Sequence, residues 1–232
     1  MKILALDSTA TVASVALCED DRLLGEYTVN NGNTHSETLL PMVESLLKFF
    51  DLNADGIDLF AASAGPGSFT GVRIGAATVK GLAFNTQKPS IGVSTLEALA
   101  YNLNGTSGLI CPVMNARRKQ VYTALFRCEN GVLTRLTPDS AIAISELDEL
   151  LTAYTEPVYL CGDGYSITAE LLTHPIGFTP ERLRHQSAFS VAQVAKAAYD
   201  RGVRTTDVEM SPTYLRPSQA ERERAEREKT NS

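Results

Sequence analysis

Short apolar runs bounded by polar turns recur along this chain, and between them apolar positions fall at helical spacing. Residues 2–6 form the first run, ending at Asp7-Ser8-Thr9; residues 11–18 resume as a second strand after a tight reversal, and 22–29 read as a third. Residues 34–50 place Leu39, Val43, Leu46 and Phe50 on one helical face, widened by Leu40 and Leu47, behind Thr34 and Glu37 at capping-box spacing. Pro41 lies inside this helix, where it removes one backbone hydrogen bond. An apolar strand over 58–64 leads through Gly65-Pro66-Gly67, a tight turn, into a helix over 69–84 whose first free amides Ser68 is placed to cap.

A strand over 89–93 and a helix capped by Ser94 and reaching 103 complete the first half. Residues 104–108, Asn-Gly-Thr-Ser-Gly, are the best boundary in the chain. Beyond them, 109–114, a polar tip at 115–119 and 121–127 repeat the opening hairpin with Asn115 in the place of Asp7, an internal duplication. Helices over 145–153, 166–173 and 187–200 surround a strand over 157–161 and the turn Gly162-Asp163-Gly164. Strands alternating with helices in both halves give an α/β fold with lobes over 1–104 and 105–217. The tail, 218–232, interleaves Glu and Arg with almost nothing apolar and reads as a frayed helix or a disordered segment.

The helix over 69–84 carries Gly71 and Gly75 four residues apart, so one stripe is nearly bare and another helix can approach it. A glycine inside a helix costs roughly 1 kcal/mol against alanine, so the stripe implies a compensating contact, internal or with another protein.

Composition narrows the function classes. At 232 residues, 44% hydrophobic and 21% charged, the chain is ordinary for a globular protein, and no apolar run approaches the length of a membrane span. Its start breaks into acid at Asp7, too early for a signal peptide, so a cytoplasmic location is expected. A net charge of −6 argues against holding nucleic acid unaided. The cysteines Cys18, Cys111, Cys128 and Cys161 have no paired spacing and are expected to be buried thiols. None of His35, His174 and His185 has a second ligand at helical spacing, so no metal is expected on this chain. Ser68 lacks the flanks of a nucleophile elbow, and the glycine stretch lacks the lysine of a P-loop. The two hairpin tips and the Gly162-Asp163-Gly164 turn are candidates to hold a nucleotide between the lobes, through Asp7, Ser8, Thr9 and Asn115; the alternative for Asp7 is a turn residue ending a strand. Arg117, Arg118 and Lys119 are the one basic knot, suited to phosphate or carboxylate.

Six stretches in order resemble the bacterial TsaB (YeaZ) family: 3–9; His35 and Glu37 with 40–43; 65–75; 91–96; 115–118 with Val121-Tyr122; and Tyr214-Leu215-Arg216. The resemblance runs over 1–217 and implies the two-lobed actin, Hsp70 and sugar-kinase fold, built from duplicated ribonuclease H-like domains. It also implies a part in placing a threonylcarbamoyl group on the adenosine beside the anticodon of tRNAs reading A-starting codons, where TsaC makes the adenylate, TsaD transfers the group and TsaE is an ATPase. The chain is then the subunit that binds TsaD, with ATP or ADP and metal on the partners and tRNA met only within the complex. Homodimers of the family use the same surface, which maps here onto the helices over 34–50 and 69–84, with His35, Glu37, Leu39, Val43, Ser68, Phe69, Gly71, Val72, Arg73 and Gly75 as expected contacts. Where the transferring paralogue has a His-x-x-x-His metal pair, this chain has Thr95 and Leu99, which cannot replace imidazole ligands. Asn115 stands where many relatives have Asp, which speaks against ATP hydrolysis at the lobe interface. Arg117, Arg118, Arg216 and the tail are expected to touch the partner or tRNA. The alternatives are a small nucleotide-dependent phosphotransferase of the same superfamily and, with no nucleophile or metal constellation behind it, a peptidase.

Overall fold

The computed structural model describes residues 1–32, 34–84 and 86–216; the tail over 218–232 lies outside the described residues. The first sheet contains β1 (Lys2–Asp7), β2 (Ala13–Glu19), β3 (Arg22–Val29), β4 (Leu59–Ser63) and β5 (Ser90–Val93), ordered β3-β2-β1-β4-β5. β1 to β3 form an antiparallel meander, and β4 and β5 run parallel to β1. β1 is apolar at every position from Ile3 to Leu6 because both its faces are covered. Leu4 and Leu6 point into a core with Val15, Leu17 and Phe60, closed by Leu39, Val43 and Leu46 of α1 (His35–Phe49) and by Ala76 and Val79 of α2 (Phe69–Ala83). Ile3 and Ala5 point the other way, with Leu59 and Ile91, against Val191, Ala192 and Ala195 of α6 (Ala188–Asp200).

The second sheet repeats the plan. β6 (Gly108–Asn115), β7 (Gln120–Thr123), β10 (Ser140–Ala143), β11 (Val158–Cys161) and β12 (Ile176–Gly177) take the order β10-β7-β6-β11-β12, with β8 (Phe126–Glu129) and β9 (Val132–Arg135) beside them. Asp7 and Asn115 therefore end equivalent central strands, as the internal duplication predicts. The single strand expected over 121–127 is broken into β7 and β8, although both keep one register against β6. The break falls opposite Pro112, which brings no amide to the ladder. β8 and β9 turn back at Asn130-Gly131, both at positive φ, as a tight hairpin requires. α4 (Ile144–Leu151) and α5 (Tyr165–Leu171) cover the outer face of this sheet, and α3 (Thr95–Tyr101) packs Leu96 and Leu99 against Ile110, Met114 and Phe126 on its inner face.

Two expectations need correction. The boundary at 104–108 does separate the sheets, but α6 and the segment after it return to the first lobe, so that lobe is not 1–104 alone. Thr34 makes no side-chain cap to α1: its hydroxyl meets Ser36, and its carbonyl accepts the Glu37 amide at 3.1 Å. Ser68, Ser94 and Ser187, by contrast, each cap a helix. All four cysteines are buried free thiols, and burial pushes the Cys18 and Cys111 thiols up to about 12. No helix among the described residues is long and apolar enough to cross a membrane.

Between the lobes, Arg135 of β9 donates to Glu97 of α3 at 3.0 Å and to Asp139, which also accepts the Ser94 hydroxyl at 2.6 Å. The guanidinium lies 4.6 Å from the Phe126 ring centre. This cluster fastens one side of the lobe junction.

Candidate functional site

The β1–β2 tip and the start of α2 form one unit. The Ser68 amide donates to Thr9 O at 2.7 Å, and the Ser8 hydroxyl donates to Gly71 O at 2.9 Å. Gly71 meets this tip so closely that a Cβ would sit 1.9 Å from Ser8 O, and a Cβ on Gly75 would sit 2.7 Å from Ser8 Oγ. The Gly71–Gly75 stripe thus faces the protein's own hairpin, which corrects the expectation that it meets a partner. Leu39, Val43 and Val72 are at most 1% exposed and are corrected in the same way, because they complete the core under the first sheet. His35 is half-buried, with Nε2 donating to Ala10 O at 2.6 Å, while Glu37, Ser68 and Arg73 are exposed. The outward side of α2 carries a second small stripe, Ala77 and Gly81, both exposed; a Cβ on Gly81 meets nothing within 4 Å. Phe84 just beyond is 74% exposed, and Leu40 on α1 is 45% exposed. The sequence reading picks out Gly71 and Gly75 and misses Ala77 and Gly81; the signal that the first pair turns inward is the arc it shares with Val72, Ala76 and Val79.

A cleft of about 650 Å³ opens between the lobes, lined among others by Thr9, Phe69, Asn115, Asp163, Tyr214 and Arg216. Five of the expected nucleotide or basic residues converge here: Thr9, Asn115, Arg117, Asp163 and Arg216. Asn115 bridges the tip and the turn, its amide donating to Asp163 Oδ1 at 3.0 Å and its Oδ1 accepting from the Arg117 amide at 2.8 Å. Arg117, Arg118 and Lys119 are exposed and take three consecutive left-handed backbone conformations. Burial pushes the Asp163 carboxyl above its ordinary range, although its surface remains open to the cleft. Gly162 and Gly164 back onto β6; a Cβ at Gly162 would lie 2.2 Å from Val113 O.

Asp7 and Ser8 do not reach the cleft, which corrects their assignment to a nucleotide site. Asp7 is 2% exposed: Oδ1 accepts from the Thr9 amide at 2.9 Å and hydroxyl at 2.7 Å, and Oδ2 accepts from the Ser63 hydroxyl. Burial raises its pKa, and these hydrogen bonds offset only part of that rise. A carboxylate committed on both oxygens inside the protein does not fit a magnesium-bound water. Among the described residues, no three His, Cys, Asp or Glu side chains come together as a metal-ligand set.

Residues 203–216 form a strap. The Ser90 amide donates to Thr205 O at 2.9 Å, Met210 is buried in the first core, and the Thr213 amide donates to Ala64 O at 2.7 Å. Gly65, at φ +110, admits the crossing, since a Cβ there would lie 2.4 Å from Thr213 O. Tyr214 stacks on Phe69 with ring centres 4.5 Å apart, and its hydroxyl accepts from Arg73 Nε at 2.9 Å. Arg216 Nη1 then donates to Ala116 O of the second lobe at 3.2 Å. The sequence marks Tyr214-Leu215-Arg216 as a motif but gives no local sign of contacts 141 and 100 residues away.

The matched strand orders and the cleft between the two sheets define a duplicated, two-lobed α/β protein with the architecture of the actin, Hsp70 and sugar-kinase superfamily. A family model described as "TsaD: tRNA N6-adenosine threonylcarbamoyltransferase" matches residues 30–224. The chain is 36% identical over 177 residues to the tRNA threonylcarbamoyladenosine biosynthesis protein TsaB of Bacillus subtilis (strain 168), covering 76% of this chain and 77% of that protein. It is 38% identical over 136 residues to the Escherichia coli (strain K12) protein of the same name, covering 57% and 58%. The solved structure of YeaZ from Pseudomonas aeruginosa superposes with a TM-score of 0.79 at 27% identity, over 92% of this chain and 99% of that one. The chain belongs to the TsaB family.

Proposed function

We propose that this chain is a non-catalytic subunit in the biosynthesis of threonylcarbamoyladenosine in tRNA, and that it docks on TsaD through the outward sides of α1 and α2. The observation that carries the reading is the outward stripe of α2, where Ala77 and Gly81 lie exposed one turn apart between Arg73 and Phe84. Such a stripe lets a partner helix approach closely, and Leu40 on α1 supplies apolar area beside it. The names of the Bacillus subtilis and Escherichia coli relatives, tRNA threonylcarbamoyladenosine biosynthesis protein TsaB, support the pathway.

The transfer chemistry, with its metal and nucleotide, then belongs to TsaD and TsaE, with TsaC supplying the adenylate and tRNA meeting this chain only within the complex. Thr95 and Leu99, the positions of the paralogue's histidine pair, are 0% and 1% exposed, and neither side chain is an imidazole ligand. The same α1–α2 surface serves a homodimer in this reading, so the two assemblies exclude one another.

Ala77→Arg tests the reading. The side chain projects into solvent, so the variant should unfold at the wild-type temperature yet fail to co-elute with TsaD and fail to support tRNA modification in a reconstituted reaction. Wild-type co-elution would refute the proposed contact, and wild-type modification without this chain would refute the role.

A further inference from the structure

The strap joins three stretches that the sequence marks as motifs and that the docking surface alone does not explain: 65–75, 115–118 and 214–216. From its anchor in the first core at Met210, it passes Ala64 and Gly65, meets the outward side of α2 at Arg73, and ends on the hairpin tip of the second lobe. Arg73 is central. Its guanidinium lies 3.9 Å from the Phe69 ring centre and 5.7 Å from that of Tyr214, while Nε holds the Tyr214 hydroxyl. Two residues later, Arg216 carries the strap across to the other lobe by its hydrogen bond to Ala116 O. Thr213 to Arg216 form part of the cleft wall, so the strap's position sets the shape of the cleft.

We propose that residues 210–216 are a latch closing the interlobe cleft, and that Arg73 on the outside of α2 sets how firmly it holds. Arg73 stands at the edge of the surface assigned above to docking, so a partner that drew its guanidinium away from Phe69 and Tyr214 would loosen Arg216 from Ala116 and open the cleft. The latch itself is a property of the isolated chain and stands apart from the identity of any partner.

Hydrogen exchange of the whole chain, read by mass spectrometry, tests this in wild type, Arg73→Ala, Arg73→Lys and Arg216→Ala. Loss of one stacked guanidinium and its hydrogen bond should speed exchange about tenfold. In Arg73→Ala the faster peptides should cover 211–216 and also 115–120 across the cleft, with β1 and β4 unchanged. Arg73→Lys keeps the charge but not the planar stack and should fall between. Arg216→Ala should speed 115–120 while leaving α2 as in wild type. Faster exchange in Arg73→Ala confined to α2 and the strap, or no change, would overturn the latch. Adding TsaD to wild type, an arm that rests on the reading above, separates the two ideas. Absence of co-elution counts against that reading alone, whereas co-elution without faster exchange at 211–216 and 115–120 counts against the coupling.

Discussion

Gly71→Ala and Gly81→Ala place the same methyl group on two sides of one helix. At Gly81 the added Cβ meets nothing within 4 Å, so only the intrinsic gain of alanine over glycine applies, about 1 kcal/mol in favour of the fold. At Gly71 the Cβ would lie 1.9 Å from Ser8 O, and ordinary contact begins near 3.4 Å, so helix and hairpin must separate by about 1.5 Å. Overpacking of this kind costs about 3 kcal/mol, the upper part of its usual range, because the atom in the way is backbone and not the end of a flexible side chain. The shift also strains the Ser8–Gly71 hydrogen bond, worth about 1 kcal/mol, which roughly cancels the propensity gain. Net destabilisation of about 3 kcal/mol lowers the unfolding temperature of a chain this size by about 6–12 °C, while Gly81→Ala raises it by about 2–4 °C. Thermal and urea unfolding followed by circular dichroism measures both. If Gly71→Ala proved as stable as Gly81→Ala, Gly71 would not be buried against the hairpin and the inward assignment of its stripe would be wrong.

Two further outcomes follow from the polar clusters. The fold holds the Asp7 proton more tightly than the unfolded chain does, so this group's contribution is fully present at low pH and is lost as pH rises through the raised value. The stability difference between wild type and Asp7→Asn should therefore move against wild type from acid toward neutral pH, in urea titrations at several pH values; a constant difference would refute the burial of an ionisable Asp7. Arg135→Met removes the shared partner of Glu97 and Asp139 at the lobe junction and should cost about 1–3 kcal/mol, read as a lower urea midpoint; no change would show the cluster to be solvated.

Much of this fold is written in local pattern. The continuous apolar runs of β1 and β2, the Gly65 junction and the serines that cap α2, α3 and α6 all lie within a few residues of the signals that specify them. The short strands β9, β10 and β12 are half-exposed and weakly apolar, and they take their pairing from neighbours already in place. The site divided along the same line. The duplication puts Asn115 at a hairpin tip, whereas its contact with Asp163, 48 residues away, and the sealing of Asp7 by Ser63, 56 residues away, depend on tertiary packing. The strap has no periodicity, and only its motif pointed to it.

The placement of α6 and Met210 bears on how the molecule is made. A chain emerging from the ribosome completes β1 to β5 early, yet the apolar side formed by Ile3, Ala5, Leu59 and Ile91 has no cover until residues 188–200 follow, after the whole second sheet has been synthesised. The lobes therefore cannot mature one after the other, and a fragment ending at the glycine-rich boundary would carry a bare sheet face prone to self-association.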